Sequence, residues 1–225
     1  MRVEVADAAL EDLRRRLRAT RWIGDAVRNE AGYGASLDFV QGLCARWLDG
    51  FDWRAQEEKL NRFAQFTADV DGNEIHFVHA RGKGPKPLPL LITHGWPSSF
   101  AEFAKIIPLL TDPAAHGGRA EDSFDGIAPS LPGLGFSAHP TTSGMTSAAV
   151  TKLWVKLMTE VLGYDRFVAQ GGDIGGGITN RLGRNHAEHV IAIHAMVAPP
   201  LGREEITDPT DAEKAFIALQ AEWER

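Results

Sequence analysis

Apolar positions recur along this chain with three different periods, and each period predicts its own kind of element. Over residues 7 to 22, Leu10, Leu13 and Leu17 share one helical face, with Asp7 placed as its N-cap. A loop with Gly24, Gly32 and Gly34 leads to Ser36, which should cap a helix reaching about Leu48. Phe39, Leu43, Trp47 and Leu48 give that helix an apolar stripe, and a third helical pattern covers roughly Trp53 to Phe63. This region carries three of the six tryptophans, Trp22, Trp47 and Trp53, which predicts packing against a larger body. From Phe66 the period falls to two: Phe66, Ala68 and Val70, then Asp71-Gly72, then Ile75, Phe77 and His79. Asp-Gly between alternating runs predicts a hairpin, with His76 and His79 on its exposed face or edge.

Beyond a polar loop from Gly82 to Pro87 the pattern changes again. Leu88 to Thr93 is a continuous apolar run, as expected of a strand covered on both faces. It ends in His94-Gly95-Trp96-Pro97, and Ser98 or Ser99 caps a helix carrying Phe100, Phe103, Ile106, Ile107, Leu109 and Leu110. A hydrophilic loop over 112 to 123 precedes a strand from Phe124 to Pro129. Thr146 or Ser147 starts a helix with Val150, Leu153, Trp154, Leu157 and Val161 inward. A strand from Phe167, a helix to about His189 and a strand from Val190 to Val197 complete the alternation. Strands alternating with amphipathic helices predict a parallel, doubly wound sheet with its sites at the carboxyl edge. After Ala198-Pro199-Pro200 the pattern breaks, and a last helix begins near Asp211 and runs into Arg225.

Composition narrows the classes. The chain has 225 residues, a net charge of −6 and 44% hydrophobic residues, which is an ordinary soluble composition. Mild acidity argues against nucleic acid as the main partner. Arg14, Arg15, Arg16 and Arg18 follow Glu11 and Asp12 on the same helix and read as a solvated face. Cys44 is the single cysteine, so no internal disulfide forms and a reducing, cytoplasmic setting is natural. Residues 1 to 10 lack the basic and apolar regions of a signal peptide, and no window approaches the ~18 apolar residues of a membrane span.

The chemistry concentrates at Phe167-Val168-Ala169-Gln170-Gly171-Gly172-Asp173-Ile174-Gly175-Gly176-Gly177. An apolar strand that turns sharply into a helix with one reactive side chain at the tip is a nucleophile elbow. Gly171 and Gly175 stand two positions either side of the tip, where the tight turn needs small residues. The tip is Asp173, whose carboxylate can attack saturated carbon and form an ester. Amides and dipole of the following helix favour its charged form. The alternative is a glycine-rich turn in which Asp173 is only the helix N-cap. A phosphate cradle fits less well, because Asp173 would put negative charge where phosphate should sit.

His94-Gly95-Trp96-Pro97, Pro132-Gly133-Leu134-Gly135-Phe136-Ser137 and Gly171-Gly172-Asp173-Ile174-Gly175 occur in an order and spacing that resembles the epoxide hydrolases of the α/β-hydrolase fold. Trp22 through Phe66, above all Phe51-Asp52-Trp53-Arg54 and Leu60-Asn61-Arg62-Phe63, is similar to the N-terminal extension of the microsomal type. The resemblance implies Asp173 as the nucleophile that opens a hydrophobic epoxide, giving a vicinal diol after water attacks the ester. It implies the backbone N–H groups of Trp96 and Ile174 as the oxyanion hole, with Gly95 allowing close approach. It also implies that the Trp96-Pro97 peptide is cis, that His94 is structural, and that no metal or cofactor takes part. Family members often carry Trp where Ile174 stands; only its N–H is needed.

The family also uses an acid, a histidine base and two lid tyrosines, in the order nucleophile, acid, histidine. After Asp173 only His186, His189 and His194 remain, two placed in the helix behind the elbow and one in the next strand. Tyr33 and Tyr164 both precede the nucleophile. The expected organisation is therefore a helical extension over 1–65, the first part of the hydrolase core over 66–200 and the start of a lid over 201–225. Missing groups would come from a C-terminal half or a second polypeptide, and a homo-oligomer is open. Two other readings stand beside the hydrolase: a haloalkane dehalogenase, which also uses an elbow Asp, and a non-catalytic binding protein of the same fold.

Overall fold

A computed structural model describes residues 1–23, 34–197 and 208–223. Gly24, Gly32, Tyr33 and the Ala198-Pro199-Pro200 break lie outside the described residues, as do 201–207 and 224–225 of the region expected to start the lid.

Three helices precede the sheet: α1 (Asp7–Arg18), α2 (Leu37–Asp49) and α3 (Trp53–Leu60). Ser36 caps α2 through the Phe39 N–H, and Asp52 caps α3 through the Ala55 N–H. Asp7 is not the cap of α1. It lies inside the first turn and pairs with Arg54 of α3, and the helix stops four residues short of its predicted end. What fastens the start of the chain is Glu57, buried on α3. Its Oε1 accepts the Val5 N–H and the Trp53 indole N–H, both at 2.7 Å, and its Oε2 pairs with Arg54 at 2.6 Å. Asn61 reinforces this by exchanging two 2.8 Å hydrogen bonds with the backbone of Val3. The stripe on α2 behaves differently from expectation: Phe39, Leu43 and Trp47 are exposed, and no residue of α2 is buried.

The sheet has six strands: β1 (Gln65–Val70), β2 (Asn73–Ala80), β3 (Leu88–Thr93), β4 (Phe124–Pro129), β5 (Phe167–Gly171) and β6 (Val190–Ala195). Their order is β1-β2-β4-β3-β5-β6. β1 and β2 are a hairpin across Asp71 and Gly72, both at positive φ, and β2 lies antiparallel on β4. β4, β3, β5 and β6 are mutually parallel. The continuous apolar run of β3 follows from this placement. Leu91 joins Ile127, Ala169, Trp154 and Ile178 on one face, whereas Leu90 and Ile92 join Val78, Phe100, Phe103 and Ile107 on the other.

His76 and His79 are both buried, against expectation. The two lie on opposite faces of β2: the loop after β4 and Phe100 cover His76, and Phe66 and Tyr164 pack against His79. His76 bonds Ser130 Oγ and Gln65 Oε1, each at 2.9 Å, and meets the rings of Phe100 and Phe136 edge-on. Burial pushes its pKa down to about 4.

The helical segment after Ser99 is two pieces, a 3₁₀ turn over Phe100–Ala104 and α4 (Ile106–Thr111). Pro108 has no N–H to give to Ala104, so a continuous helix cannot pass. Thr146 caps α5 (Ser147–Lys156), which widens into a π turn over Leu157–Val161. The wider turn carries Val161 out of the inward stripe into solvent. α6 (Asp173–Asn185) ends before His189, β6 ends before Val197, and α7 (Asp211–Trp223) closes the described chain.

Candidate active site

β5 delivers the chain to Gly171, Gly172 is extended at φ −121°, and Asp173 opens α6 at φ +51°. A non-glycine residue in the left-handed region at a strand–helix junction is the strained geometry of an elbow. The flanking glycines are dictated by contact. A Cβ on Gly171 would lie 2.3 Å from the Gly175 carbonyl oxygen, and one on Gly175 would lie 2.0 Å from that of Thr93. Gly172 is the N-cap and Asp173 the first helical residue, which removes the reading of Asp173 as a mere cap.

The loop after β3 meets this tip. A Cβ on Gly95 would lie 2.5 Å from both Cβ and Oδ1 of Asp173, so only glycine lets the two segments approach. The next N–H, that of Trp96, donates to Asp173 Oδ1 at 2.9 Å. The Ile174 N–H is a second donor, and together, Trp96 foremost, they hold the Asp173 carboxyl below its ordinary pKa. The Trp96-Pro97 peptide is cis. His94 is fully buried beneath the loop, with Nδ1 against the Gly95 carbonyl at 2.8 Å and Nε2 against the Leu131 N–H at 3.1 Å. Every residue nominated from the sequence for the site is therefore assembled at the carboxyl edge of β3 and β5.

Asp173 faces a shallow hollow of about 290 Å³. Trp96, Ile174 and Met196 present exposed apolar surface beside it, and Phe103 lines it from below. Glu102, Gln170 and Met196 also border it and were not singled out from the sequence. Glu102 had a signal: it stands three residues after Ser99 in a capping pattern, and its carboxylate accepts the Ser98 hydroxyl. Met196 had none, since its place depends on where β6 ends. A larger groove of about 1180 Å³ lies between α3 and the 3₁₀ turn, but it contains neither Asp173 nor its two N–H donors.

The later histidines are not in the hollow. His186 follows the last turn of α6 beside Glu188, His189 bonds the Asp165 carbonyl, and His194 sits on β6 opposite Gln170. Tyr164 sits at the opposite edge of the sheet, bonded to Asp125 and His79. Among the described residues no group of three or more His, Cys, Asp or Glu is arranged to hold a metal ion. No described helix is long and apolar enough to cross a membrane.

Comparison with known proteins agrees with this geometry from both ends of the chain. Residues 1–103 match the family described as epoxide hydrolase N terminus, and residues 89–223 match the alpha/beta hydrolase fold family. The chain belongs to the epoxide hydrolase family of the α/β-hydrolase fold. A putative epoxide hydrolase of Stigmatella aurantiaca is 49% identical over 193 residues, which is 86% of this chain and 44% of that protein. Epoxide hydrolase 1 of Sus scrofa is 38% identical over 88% of this chain and 44% of its own length. The chain thus spans less than half the length of these curated relatives. Among solved structures, the juvenile hormone epoxide hydrolase of the silkworm Bombyx mori superposes with a TM-score of 0.79 at 26% identity. That alignment covers 91% of this chain and 48% of the silkworm chain. An enantioselective mutant of the Aspergillus niger epoxide hydrolase gives the same TM-score at 28% identity, covering 97% of this chain and 57% of that one.

Proposed function

We propose that this epoxide hydrolase chain carries the ester-forming half of the reaction, with Asp173 as nucleophile and the Trp96 and Ile174 N–H groups as oxyanion hole. One Asp173 oxygen attacks an epoxide carbon, the C–O bond of the ring breaks, and the released alkoxide takes a proton. The product is a hydroxyalkyl ester on Asp173. When water later adds to the ester carbonyl, negative charge develops on the oxygen that faces the two N–H groups. Two such preorganised donors are worth roughly 3 kcal/mol each in comparable acyl chemistry. The observation that carries this reading is the 2.9 Å contact between the Trp96 N–H and Asp173 Oδ1 across a Gly95 that tolerates no side chain.

The exposed apolar surface of Trp96, Ile174 and Met196 supports a hydrophobic epoxide as substrate. Water activation needs a base, and no described histidine lines the hollow. The relatives are more than twice as long as the matched region, so we assign the base, its acid and the groups that protonate the epoxide oxygen to polypeptide beyond these 225 residues. The single cysteine supports a cytoplasmic setting. The test is incubation with a small aryl epoxide, followed by intact mass and peptide mapping. Mass should add once, on the peptide holding Asp173, and accumulate without diol. Stoichiometric halide release from a haloalkane in place of epoxide labelling, or reversible binding with no added mass, would shift the assignment to the other two readings.

A further inference from the structure

The loop from Ser130 to Ser137 and the buried His94 have so far no part in the chemistry, although both stand in motifs that mark the family. Their hydrogen bonds form one line that ends on Asp173.

The Leu131 N–H can only donate, so the Nε2 that it meets at 3.1 Å presents a lone pair. In a neutral imidazole the proton then sits on Nδ1, and Nδ1–H donates to the Gly95 carbonyl at 2.8 Å. That carbonyl belongs to the same peptide unit as the Trp96 N–H, and on a trans peptide the two point in opposite directions. Holding the carbonyl at one end fixes where the N–H at the other end points, which is at Asp173 Oδ1, 2.9 Å away. A donor on the carbonyl also polarises the peptide and strengthens its N–H as a donor. The His94 ring is fully buried, so water does not compete for either nitrogen.

The far end of the line is equally fixed. The Ser137 hydroxyl donates to the Ser130 carbonyl at 2.8 Å, and the Leu134 N–H donates to the Leu131 carbonyl at 2.9 Å. Gly135, at φ +56°, would put a Cβ 2.5 Å from Ser130 Oγ, so the loop closes only with glycine there. The loop is thus a rigid mount that offers one buried N–H to His94.

We propose that His94 is a positioning residue: held in one tautomer by the Leu131 N–H, it aims and strengthens the Trp96 N–H toward Asp173 through the Gly95 carbonyl. This rests on the reading of Asp173 and Trp96 given above. The Ser130–Ser137 loop thereby acts on the site without touching it.

Two substitutions separate this from simple packing. In His94→Asn the amide nitrogen reaches the place of Nδ1 and can keep the bond to Gly95. In His94→Gln the amide reaches the place of Nε2 and leaves the Gly95 carbonyl only the longer, 3.3 Å bond from the Ser98 N–H. The readout is the ¹³C titration of the Asp173 carboxyl in the 225-residue chain, assigned with Asp173→Asn. The other carboxylate bordering the hollow, Glu102, is followed separately. With His94→Gln the Asp173 midpoint should rise toward the ordinary carboxylate range, and with His94→Asn it should stay near wild type. Packing alone gives the reverse order, since Gln is nearer His in volume, and that result or equal shifts in both would overturn the proposal. If His94→Gln does not fold, long-range ¹H–¹⁵N spectra of the wild-type imidazole decide: the proton belongs on Nδ1, and finding it on Nε2 overturns the line. None of these readouts needs an epoxide. A chain with the expected titration and tautomer that never forms an ester sustains the positioning role and overturns only the reaction.

Discussion

Asp125, at the start of β4, and Asp173, just past the end of β5, are carboxylates at opposite ends of parallel strands that flank β3, and the protein treats them in opposite ways. Asp125 is buried at the start of β4. It accepts the Tyr164 hydroxyl at 2.6 Å, the Gly82 N–H at 2.7 Å and the Arg81 guanidinium at 3.1 Å. Burial opposes its charge, and the three donors outweigh burial, so its pKa lies below the ordinary value. Asp173 reaches a similar direction of shift in the open, from the backbone N–H groups of Trp96 and Ile174. The difference teaches how to tell a structural carboxylate from a chemical one. Side chains from several segments close around the first and leave it nothing further to do. The second is held by backbone alone, at a strained tip, and keeps a face toward the hollow.

The sharpest way to break this comparison is to neutralise each carboxylate in turn. Asp173→Asn should remove all covalent labelling by an aryl epoxide while leaving the unfolding midpoint unchanged, because the side chain is exposed and bonds only backbone. Labelling that survives at this position would remove Asp173 as the nucleophile. Gly95→Ala attacks the same end while leaving the carboxylate chemically intact. Its Cβ would collide with Asp173 and push the carboxylate out of its attacking position, and the labelling rate should fall about a hundredfold, as expected for a misplacement on the order of 1 Å. Unaltered labelling kinetics would mean that the close approach is not needed.

Asp125→Asn should do the converse. Labelling persists, and stability falls by about 2 kcal/mol, as a charged acceptor for the tyrosine hydroxyl and a backbone N–H is replaced by an amide. The exposed Arg81 adds little to that loss. Denaturant unfolding checks it, and no change in midpoint would demote Asp125 to an ordinary surface residue.

Much of the setting of Asp173, and little of that of Asp125, was legible in the sequence. The elbow could be read because its constraints are local. Gly171 and Gly175 are required by atoms a few residues away or on the adjacent strand, and β3 and β5 announce themselves as apolar runs. The Asp125 cluster could not be read, because it joins residues up to 85 positions apart whose meeting depends on strand order. The same limit hid the burial of His76 and His79. Alternation placed the hairpin correctly, but nothing local told that Phe100 and the Ser130 loop would cover His76 on one face, or that Tyr164 would meet His79 on the other. The stripe on α2 shows the reverse failure. Its period is right, and among the described residues nothing buries it.

Acid sharpens the comparison, because neither aspartate changes charge between pH 7 and 5 when both pKa values are lowered. The histidines do change, in the unfolded chain. Folded His76 stays neutral to about pH 4, whereas the unfolded side chain takes a proton near pH 6.5. Across that window the unfolded state binds more protons, so stability rises with pH. Acidifying from 7 to 5 should remove about 2 kcal/mol on account of His76. Unfolding measured at both pH values in wild type and in His76→Asn isolates the share. An equal pH dependence in the two would place the acid sensitivity elsewhere.

The smallest expected effect tests whether the two ends of the sheet are independent. Tyr164 donates to Asp125, and its oxygen also bonds His79 Nε2 at 3.0 Å. Burial and the Asp125 charge raise its pKa, so it stays a neutral donor throughout the working range. Tyr164→Phe keeps the ring and its edge contact with His79 and removes only the hydroxyl. The loss should be about 1 kcal/mol, the usual net value of a hydrogen bond in this kind of setting. Labelling at Asp173 should not change at all. Tyr164 is held by Asp125 at the far edge of the sheet, away from Asp173. A Tyr164→Phe chain that labels more slowly, at unchanged stability, would show that the strands carry a signal between the two carboxylates, and the division between a structural end and a chemical end would fail.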